Sequence, residues 1–493
     1  MNRKCRALYL EDVVFRYYEN GKRNILDHVS LDIEEGGITV IMGGSGCGKS
    51  TLAAVAAGLY PENGGFLESG VIELFGQRID RMNQQERAAY LTEMFQNPDL
   101  QFCMDTLRRE MQFCMENICV PPQQMDERIC AAAQAMGMEK FLDRRLQTLS
   151  GGEKQRAALC CLFVMESRMI LLDEPFANLD EAGAAELAGL IQKMKAQGRT
   201  IVVIDHQLGI WQEVADEIVI LGEGGVVRQR GITKDHLSQF YPLFEQEGLF
   251  YPGKSGKHRR TSGAAAGNMH PAVTLKGVTI TCGNDQTLLN NADAEFPAGC
   301  MTAVLGASGS GKTTTFLSML KQHPYTGTIQ IGSADIKKRK KRELYRQAGI
   351  VFQNPANQFI TQNVREEILS SLKIWRPELG PADRETLADE LLEEYGLKRY
   401  GRYSPYMLSQ GQQRRLAVLS VLAGGQNILF LDEPTYGQDY RSTTAIMEQL
   451  RRKVEEEELT VVFITHDTEL ADRWADKIYC LEDQKLKEKG AGR

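Results

Sequence analysis

The pattern G-x-x-x-x-G-K-S/T occurs twice, as Gly43-Gly44-Ser45-Gly46-Cys47-Gly48-Lys49-Ser50 and as Gly306-Ala307-Ser308-Gly309-Ser310-Gly311-Lys312-Thr313. Such a P-loop surrounds phosphate oxygens with backbone N–H groups, and its glycines let the backbone come close. The two copies lie 263 residues apart. A repeat of that length is a duplicated domain rather than a solenoid unit. The sequence therefore predicts two nucleotide-binding domains.

Each residue type in the loop has an expected role. Lys49 and Lys312 are predicted to hold the β- and γ-phosphates, and Ser50 and Thr313 to ligate Mg²⁺. The predicted binding residues are the whole of each loop together with the residue that follows it, Thr51 or Thr314.

Short apolar runs surround both loops. Residues 38–42 and 301–305 end directly in the loops, and a helix is expected to begin at each P-loop lysine. Continuous apolar runs between helical stretches indicate a mostly parallel α/β sheet covered on both faces. The later runs of this kind are 169–172, 200–204, 428–431 and 460–464.

Composition narrows the class of protein. The chain has 493 residues, 42% of them hydrophobic, with a net charge of −7 that argues against a nucleic-acid partner. Its 11 cysteines form no C-x-x-C pair, which predicts reduced thiols in a reducing cytosol. No signal-peptide pattern opens the chain, and no apolar run approaches a membrane span.

The predicted domains are residues 1–252 and 272–493, joined by a polar linker at 253–271.

An acidic pair follows one buried run in each half. Asp173-Glu174 and Asp432-Glu433 come directly after 169–172 and 428–431. The aspartate is predicted to anchor Mg²⁺, and the glutamate to polarise an attacking water. Two acids at the tip of an apolar strand seldom serve packing, because unpaired buried charge is costly.

A third pattern is a serine and glycines before a helical stretch. Ser150-Gly151-Gly152-Glu153 matches Ser409-Gln410-Gly411-Gln412. A serine at a helix start can bind a γ-phosphate or simply cap the helix. In both halves the serine lies 23 residues before the acidic pair, and this fixed spacing favours a functional role.

Together these elements closely resemble the ATPase subunits of ABC transporters, twice over. The resemblance adds a glutamine loop at Gln96 and Gln353, also expected near Mg²⁺, and a switch histidine at His206 and His466. It places the D-loop at Asp180 and Asp439. It further implies ATP and Mg²⁺ as ligands, and in each domain a small antiparallel β subdomain and a helical signature subdomain.

A narrower resemblance surrounds the two glutamines. Residues 95–102 and 352–359 share the pattern F-Q-N-P-x-x-Q-F, with Gln101 and Gln358 as its second glutamine. This pattern is similar to the ATPases of energy-coupling-factor importers of vitamins, cobalt or nickel. The resemblance implies a transmembrane coupling subunit, a membrane substrate-binding subunit, and a peripheral place on the cytoplasmic face of a prokaryotic membrane.

In that family two ATPase domains pair head to tail, and each signature completes the other domain's site. The resemblance therefore implies that the two halves pair with each other and that both hydrolyse ATP. Three residues make the halves unequal: Gln410 replaces the first signature glycine, while Tyr17 can stack on adenine and its counterpart Cys282 stacks less well.

Three other classes of protein are alternatives to a vitamin or metal importer ATPase. A soluble tandem ABC protein acting on ribosomes normally carries a long, charged helical linker, unlike the short one here. A sugar-importer ATPase often lacks catalytic residues in one half, whereas both halves of this sequence retain the glutamate and the histidine. A DNA-repair ATPase carries an inserted zinc or coiled-coil segment, which this sequence lacks.

Overall fold

The protein is described here from a computed structural model, which covers residues 6–19, 21, 23–176, 179, 181–251, 270–283, 286–307, 309–434 and 440–489. Its chain divides into two units, Met1–Gly253 with Asp439–Arg441, and Lys254–Gln438 with Ser442–Arg493. Residues 253–269 of the predicted linker at 253–271 lie outside the described residues, so its boundaries stay a prediction.

The first unit is built on a six-stranded sheet in the order β10-β9-β3-β8-β7-β6. Its strands are parallel except for β10, which pairs antiparallel with β9. A second, antiparallel sheet has the order β2-β1-β4-β5. The strands are β1 Arg6–Arg16, β2 Leu26–Glu34, β3 Ile38–Gly43, β4 Phe66–Leu74, β5 Gln77–Arg78, β6 Leu91–Met94, β7 Met169–Asp173, β8 Thr200–Asp205, β9 Glu217–Leu221 and β10 Val227–Ile232. The helices are α1 Lys49–Ala56, α2 Gln84–Tyr90, α3 Leu107–Asn117, α4 Pro122–Ala135, α5 Gly151–Met165, α6 Glu181–Ala196, α7 Trp211–Val214 and α8 Tyr241–Glu247.

The second unit repeats this plan. Its six-stranded sheet has the order β16-β17-β18-β13-β19-β20, and its antiparallel sheet has the order β12-β11-β14-β15. The strands are β11 Pro271–Cys282, β12 Gln286–Pro297, β13 Met301–Leu305, β14 Thr326–Ile331, β15 Ala334–Asp335, β16 Ala348–Val351, β17 Ile428–Asp432, β18 Thr460–Thr465, β19 Lys477–Glu482 and β20 Lys485–Glu488. The helices are α9 Lys312–Met319, α10 Lys341–Gln347, α11 Val364–Trp375, α12 Pro381–Glu394, α13 Gln410–Leu422, α14 Tyr440–Glu456 and α15 Thr468–Trp474.

The predicted fold class is confirmed in both units. The central strands β3, β7 and β8 are buried along their whole length, as are β13, β17 and β18. Helices on both faces exclude water from such strands, which explains their continuous apolar sequences. Because parallel strands end at one sheet edge, the P-loop, the acidic pair and the switch histidine meet there.

Two further features concern the described residues. The described cysteines are all free thiols. No helix in the described part of the chain combines the length and the apolar character that crossing a bilayer requires.

Candidate active site

Each P-loop turns sharply into its helix at a glycine. Gly48 and Gly311 precede α1 and α9 with φ of 109° and 97°, a region that disfavours side chains. A Cβ atom on Gly48 would lie 2.9 Å from the Ile25 carbonyl oxygen, and one on Gly311 would lie 2.8 Å from Leu288 Cβ. Backbone conformation and space therefore both require glycine at this turn.

The P-loop lysine is buried and folded back over its own loop. Lys49 Nζ donates to the carbonyl oxygens of Gly43 at 2.7 Å and Gly44 at 3.0 Å. Lys312 Nζ donates to Gly306 at 2.6 Å and Ala307 at 2.9 Å. Both ammonium groups are thus held inside the concave face of the loop, where a phosphate chain would lie.

Three predicted catalytic residues of the first unit meet at one carboxylate. Gln96 Nε2 donates to Glu174 Oε2 at 2.6 Å, and His206 Nδ1 lies 3.0 Å from Glu174 Oε1. Glu174 itself has a left-handed backbone, with φ of 46°, and its N–H donates to the Ile204 carbonyl. Strained backbone of this kind is held in place by its surroundings and is concentrated at functional sites.

The charge state of this cluster suits a base. Burial raises the pKa of Glu174, but the charge and hydrogen bond of His206, with Lys49 and Gln96, outweigh it and leave the pKa below its usual value. Burial lowers the pKa of His206, but Glu174 and then Asp205 outweigh that effect and raise it. The cluster therefore favours an ionised glutamate beside a protonated histidine.

The second unit repeats the pairing of histidine and glutamate. His466 Nδ1 lies 3.1 Å from Glu433 Oε2, and Lys312 Nζ lies 4.0 Å from Glu433 Oε1. Glu433 also has a left-handed backbone, with φ of 48°. Gln353 contributes its main-chain carbonyl, which accepts a hydrogen bond from Arg414 at 2.7 Å.

The predicted Mg²⁺ ligands also meet. Thr313 Oγ1 donates to Asp432 Oδ2 at 2.8 Å, and Ser50 hydrogen bonds to Asp173. Burial and Glu174 raise the pKa of Asp173 to about 7, although Ser50 and Lys49 oppose the rise. A bound cation would stabilise that carboxylate. No cluster of three acidic, histidine or cysteine side chains fit to hold a metal occurs in the described residues. A hydroxyl and one carboxylate suit Mg²⁺, which binds few protein ligands beside substrate phosphates.

The signature serines cap helices in this structure. Ser150 Oγ accepts from the N–H of Glu153, whose side chain accepts from the Ser150 N–H, and Ser409 and Gln412 repeat the arrangement. The residue after the serine is Gly151 in the first half and Gln410 in the second, and it is the first residue of α5 or α13. Capping accounts for the serine in both halves, so its predicted phosphate contact stays a prediction.

The remaining predicted residues fall into two groups. Tyr17 lies beside the first P-loop, where its hydroxyl is 2.8 Å from Thr51 Oγ1, and the residue is 44% exposed. Cys282 is also exposed. Ser308, Asp180 and Asp439 lie outside the described residues.

The structure adds residues that the motifs did not indicate. Arg414, five residues after the signature serine, is wholly buried between the glutamine loop and the acidic pair. Asp205, next to His206, accepts from Trp211 Nε1 at 2.7 Å. Comparing the halves a few residues beyond the signature would have revealed Arg414, because the first half has Gln155 there.

Glu93, on β6, is a further acidic group near the first site. It lines a cavity of about 380 Å³ together with Thr92, Arg87 and Gln101. Its Oε2 is buried with no hydrogen-bond partner among the described residues. Burial and the charge of Asp173 raise the pKa of Glu93 to about 8.

This carboxyl should make stability depend on pH. The folded chain retains the Glu93 proton up to about pH 8, whereas the unfolded chain releases it near 4.5. Stability is therefore lost as pH rises between these values. Glu93→Gln should melt higher than the wild type, with a difference that grows from pH 5 to 8 and is then constant. About 1 kcal/mol corresponds to roughly 2–4 °C in a domain of this size.

Thermal unfolding between pH 5 and 9 measures this difference. Glu11→Gln, which neutralises an exposed glutamate on β1, is the control for the loss of a carboxyl group. A Glu93→Gln difference that does not vary with pH would contradict a protonated Glu93.

The sequence of this chain is similar to those of known proteins. Residues 26–177 and 289–436 both match the family described as ABC transporter. The putative HMP/thiamine import ATP-binding protein YkoD of Bacillus subtilis (strain 168) is 32% identical, over 97% of this chain and 90% of its own. A putative ABC transporter ATP-binding protein of Methanosarcina acetivorans is 30% identical, over 97% and 84% of the two chains.

Among solved structures, a chain of ribosome-bound archaeal Pelota and ABCE1 aligns with a TM-score of 0.67. It covers 97% of this chain and 78% of that chain at 20% identity, which shows a shared fold alone. The two matched segments contain both P-loops, both glutamine loops, both signatures and both acidic pairs. This chain therefore belongs to the ABC transporter family as a protein with two ATPase domains in tandem, which bind ATP with Mg²⁺.

Proposed function

We propose that this protein is the ATP-hydrolysing subunit of a membrane importer of the energy-coupling-factor type, with thiamine or its pyrimidine precursor as the class of cargo. The observation that carries this proposal is the 32% identity, over 97% of the chain, to a putative HMP/thiamine import ATPase. The F-Q-N-P-x-x-Q-F segments in both halves support the importer type.

The geometry suggests what each residue does during hydrolysis. In the first unit, Lys49 turns from its carbonyl partners to the phosphate chain, and Ser50 and Asp173 would hold Mg²⁺, which neutralises phosphate charge. Glu174, ionised and oriented by Gln96 and His206, accepts a hydrogen bond from the attacking water. In the second unit Lys312, Thr313, Asp432, Glu433 and His466 take the same roles. Binding and release of the γ-phosphate then gate movement in the membrane subunits.

Exposed apolar residues near the glutamine loops support a membrane partner. Leu100 is 78% exposed at the end of the first F-Q-N-P segment, and Ile360 is 74% exposed just after the second. Tyr406 and Met407 add exposed apolar surface in the second unit, where Tyr406 packs edge-on against Phe359. Apolar groups exposed together mark protein-interaction surfaces.

Purification of the tagged chain from membranes of its own cells tests the proposal. We expect integral membrane proteins to co-purify, and the reconstituted assembly to take up labelled thiamine or its pyrimidine precursor only with ATP. Co-purification with ribosomes in place of membrane proteins would overturn it. Uptake of a different vitamin or of cobalt or nickel would change the cargo alone.

A surface variant sharpens this experiment. Leu100→Asp combined with Ile360→Asp should reduce recovery of the membrane partner at least about fivefold, because each places a charge in an apolar contact. Ile374→Asp is the control: it is 46% exposed but lies near the far end of α11, a helix of about 18 Å. If Ile374→Asp reduced recovery of the membrane partner by the same factor, Leu100 and Ile360 would not form the docking surface.

Cys47 offers a chemical test of the first P-loop. Burial raises the pKa of its thiol, with Lys49 opposing the rise, so alkylation should be slow at neutral pH and should become faster as the pH increases. Cys47 is only 6% exposed within the P-loop, so the loop has little room for a maleimide group on its thiol, and we expect the modified loop not to bind ATP. Bound ATP should in turn slow the labelling.

Mass spectrometry of the peptide containing Cys47 measures this labelling against exposed thiols such as Cys103 and Cys119. In Cys47→Ser, which copies Ser310 of the second loop, the reagent should no longer inhibit. Complete labelling of Cys47 with unchanged ATP binding would rule out its place in the site.

A further inference from the structure

Arg414 is a buried cation at the centre of the second unit. It lies near the start of α13, the helix that follows the signature serine, and is 0% exposed. An arginine stays charged in a protein, so its burial is unfavourable unless its terminal N–H groups find hydrogen-bond acceptors. Its acceptors therefore show what this charge holds in place.

Those acceptors are main-chain carbonyls from two separate segments. Nη1 donates to Phe352 at 2.7 Å and to Asp432 at 3.4 Å. Nη2 donates to Gln353 at 2.7 Å and to Glu433 at 3.0 Å. One planar guanidinium thus joins the signature helix to the glutamine loop and to the acidic pair at the end of β17.

The contact to Glu433 has a specific consequence. Glu433 has a left-handed backbone, with φ of 48°, which is costly for a residue with a side chain. Its N–H is held by the Ile464 carbonyl and its own carbonyl by Arg414. Both sides of the strained residue are fixed, and this sets the direction in which its carboxylate points.

The first half lacks this cation. Gln155 lies five residues after Ser150, as Arg414 lies five residues after Ser409, and it is buried but carries no charge. Glu174 has nearly the same φ, 46°. The strained conformation therefore forms without an arginine, and the charge is an addition particular to the second half.

We propose that Arg414 is a positioning residue of the second ATP site, which makes the signature helix, the glutamine loop and the catalytic glutamate of that unit move as one piece. The proposal rests on Glu433 as the catalytic carboxylate. It predicts that in the second unit a signal reaching the glutamine loop is also transmitted to the main chain of Glu433 through Arg414, a route that the first unit lacks.

Turnover of each site is the test. In a Glu174→Gln chain, hydrolysis reports on the second site; in a Glu433→Gln chain, it reports on the first. Adding Arg414→Gln, which copies the first half, should lower kcat about tenfold in the Glu174→Gln chain with KM for ATP within about twofold. In the Glu433→Gln chain it should change kcat less than twofold. Arg414→Lys, which keeps the charge but not the planar fork, should recover part of the loss.

The matched control is Arg415→Gln, on the same helix, whose guanidinium donates to the Tyr395 carbonyl instead. Equal losses in both chains, a loss confined to the Glu433→Gln chain, or an effect on KM alone would overturn the proposal. Should Arg414→Gln fail to fold, Arg414→Lys makes the same comparison, with an expected loss of about threefold.

Hydrogen exchange separates this proposal from the role of Glu433. In Arg414→Gln, amides of residues 352–359 and 431–434 should exchange at least about tenfold faster, while residues 95–102 of the first unit stay unchanged. If a Glu174→Gln chain shows no hydrolysis, the second site does not turn over without the first, and the exchange result alone decides whether Arg414 holds these segments. Unchanged exchange there would reject it.

Discussion

Replacing Glu174 and Glu433 together by glutamine should reduce ATP hydrolysis at least about 100-fold while leaving ATP binding intact. A general base typically contributes about 10²–10⁴-fold, and glutamine keeps the shape but cannot accept a proton. In the first site the amide can still bond to Gln96 and His206, so the loop around it should keep its structure. Phosphate release measures the loss, and a fluorescent ATP analogue measures binding.

Each single variant should retain partial turnover, because the other unit keeps its own carboxylate, P-loop and histidine. Glu11→Gln, the same chemical change on exposed β1, is the control and should hydrolyse ATP at the wild-type rate. Full activity in either single variant would remove that glutamate from the mechanism. Complete loss in either one would mean that the two sites fire only together.

The sequence predicted which motifs lie together at one edge of the sheet, because each motif is joined directly to the end of a strand. Each P-loop follows a buried strand directly, and each acidic pair ends another. In a parallel sheet these ends must meet at one edge, so proximity followed from order along the chain. The contacts of Glu174 with Gln96 and His206 follow from the same rule, since the histidine comes directly after β8.

Identical motif residues nevertheless take different partners, which the sequence could not reveal. Gln101 accepts from the Phe95 N–H and donates to the Glu93 carbonyl, within its own loop. Gln358, at the matching place, donates to the Ala417 carbonyl and to Ser420 Oγ on α13. The second glutamine loop is thus tied to the signature helix by a side chain, in addition to Arg414.

Arg414 and Glu93 were missed for a related reason. The acceptors of Arg414 are carbonyl groups, which every residue carries, so no residue type in the sequence marks them. Glu93 lies one residue before the end of a short strand, where the matching residue of the second half is Ile350. A charged residue in an apolar strand position is visible in sequence, but its burial depends on the helices packed around it.

Replacing the P-loop lysines should remove ATP binding one site at a time. Lys49→Met or Lys312→Met keeps the unbranched apolar stem of the side chain and deletes a buried ammonium that donates to two carbonyls. Hydrogen bonds to a charged group contribute about 1.5–3 kcal/mol, which corresponds to roughly a 10- to 150-fold loss of ATP affinity at the altered site. Titration with a fluorescent ATP analogue should then show one tight site in each single variant and none in the double variant.

Lys193→Met and Lys338→Met are the matched controls, one exposed lysine in each unit, and both should keep two tight sites. The stoichiometry matters more than the size of the affinity change, because it tests whether each loop binds its own nucleotide. If either single lysine variant still binds two equivalents tightly, that loop is not a phosphate site. If either one binds none, the two loops depend on each other for binding, and the duplicated motif works as a single unit rather than as two independent sites.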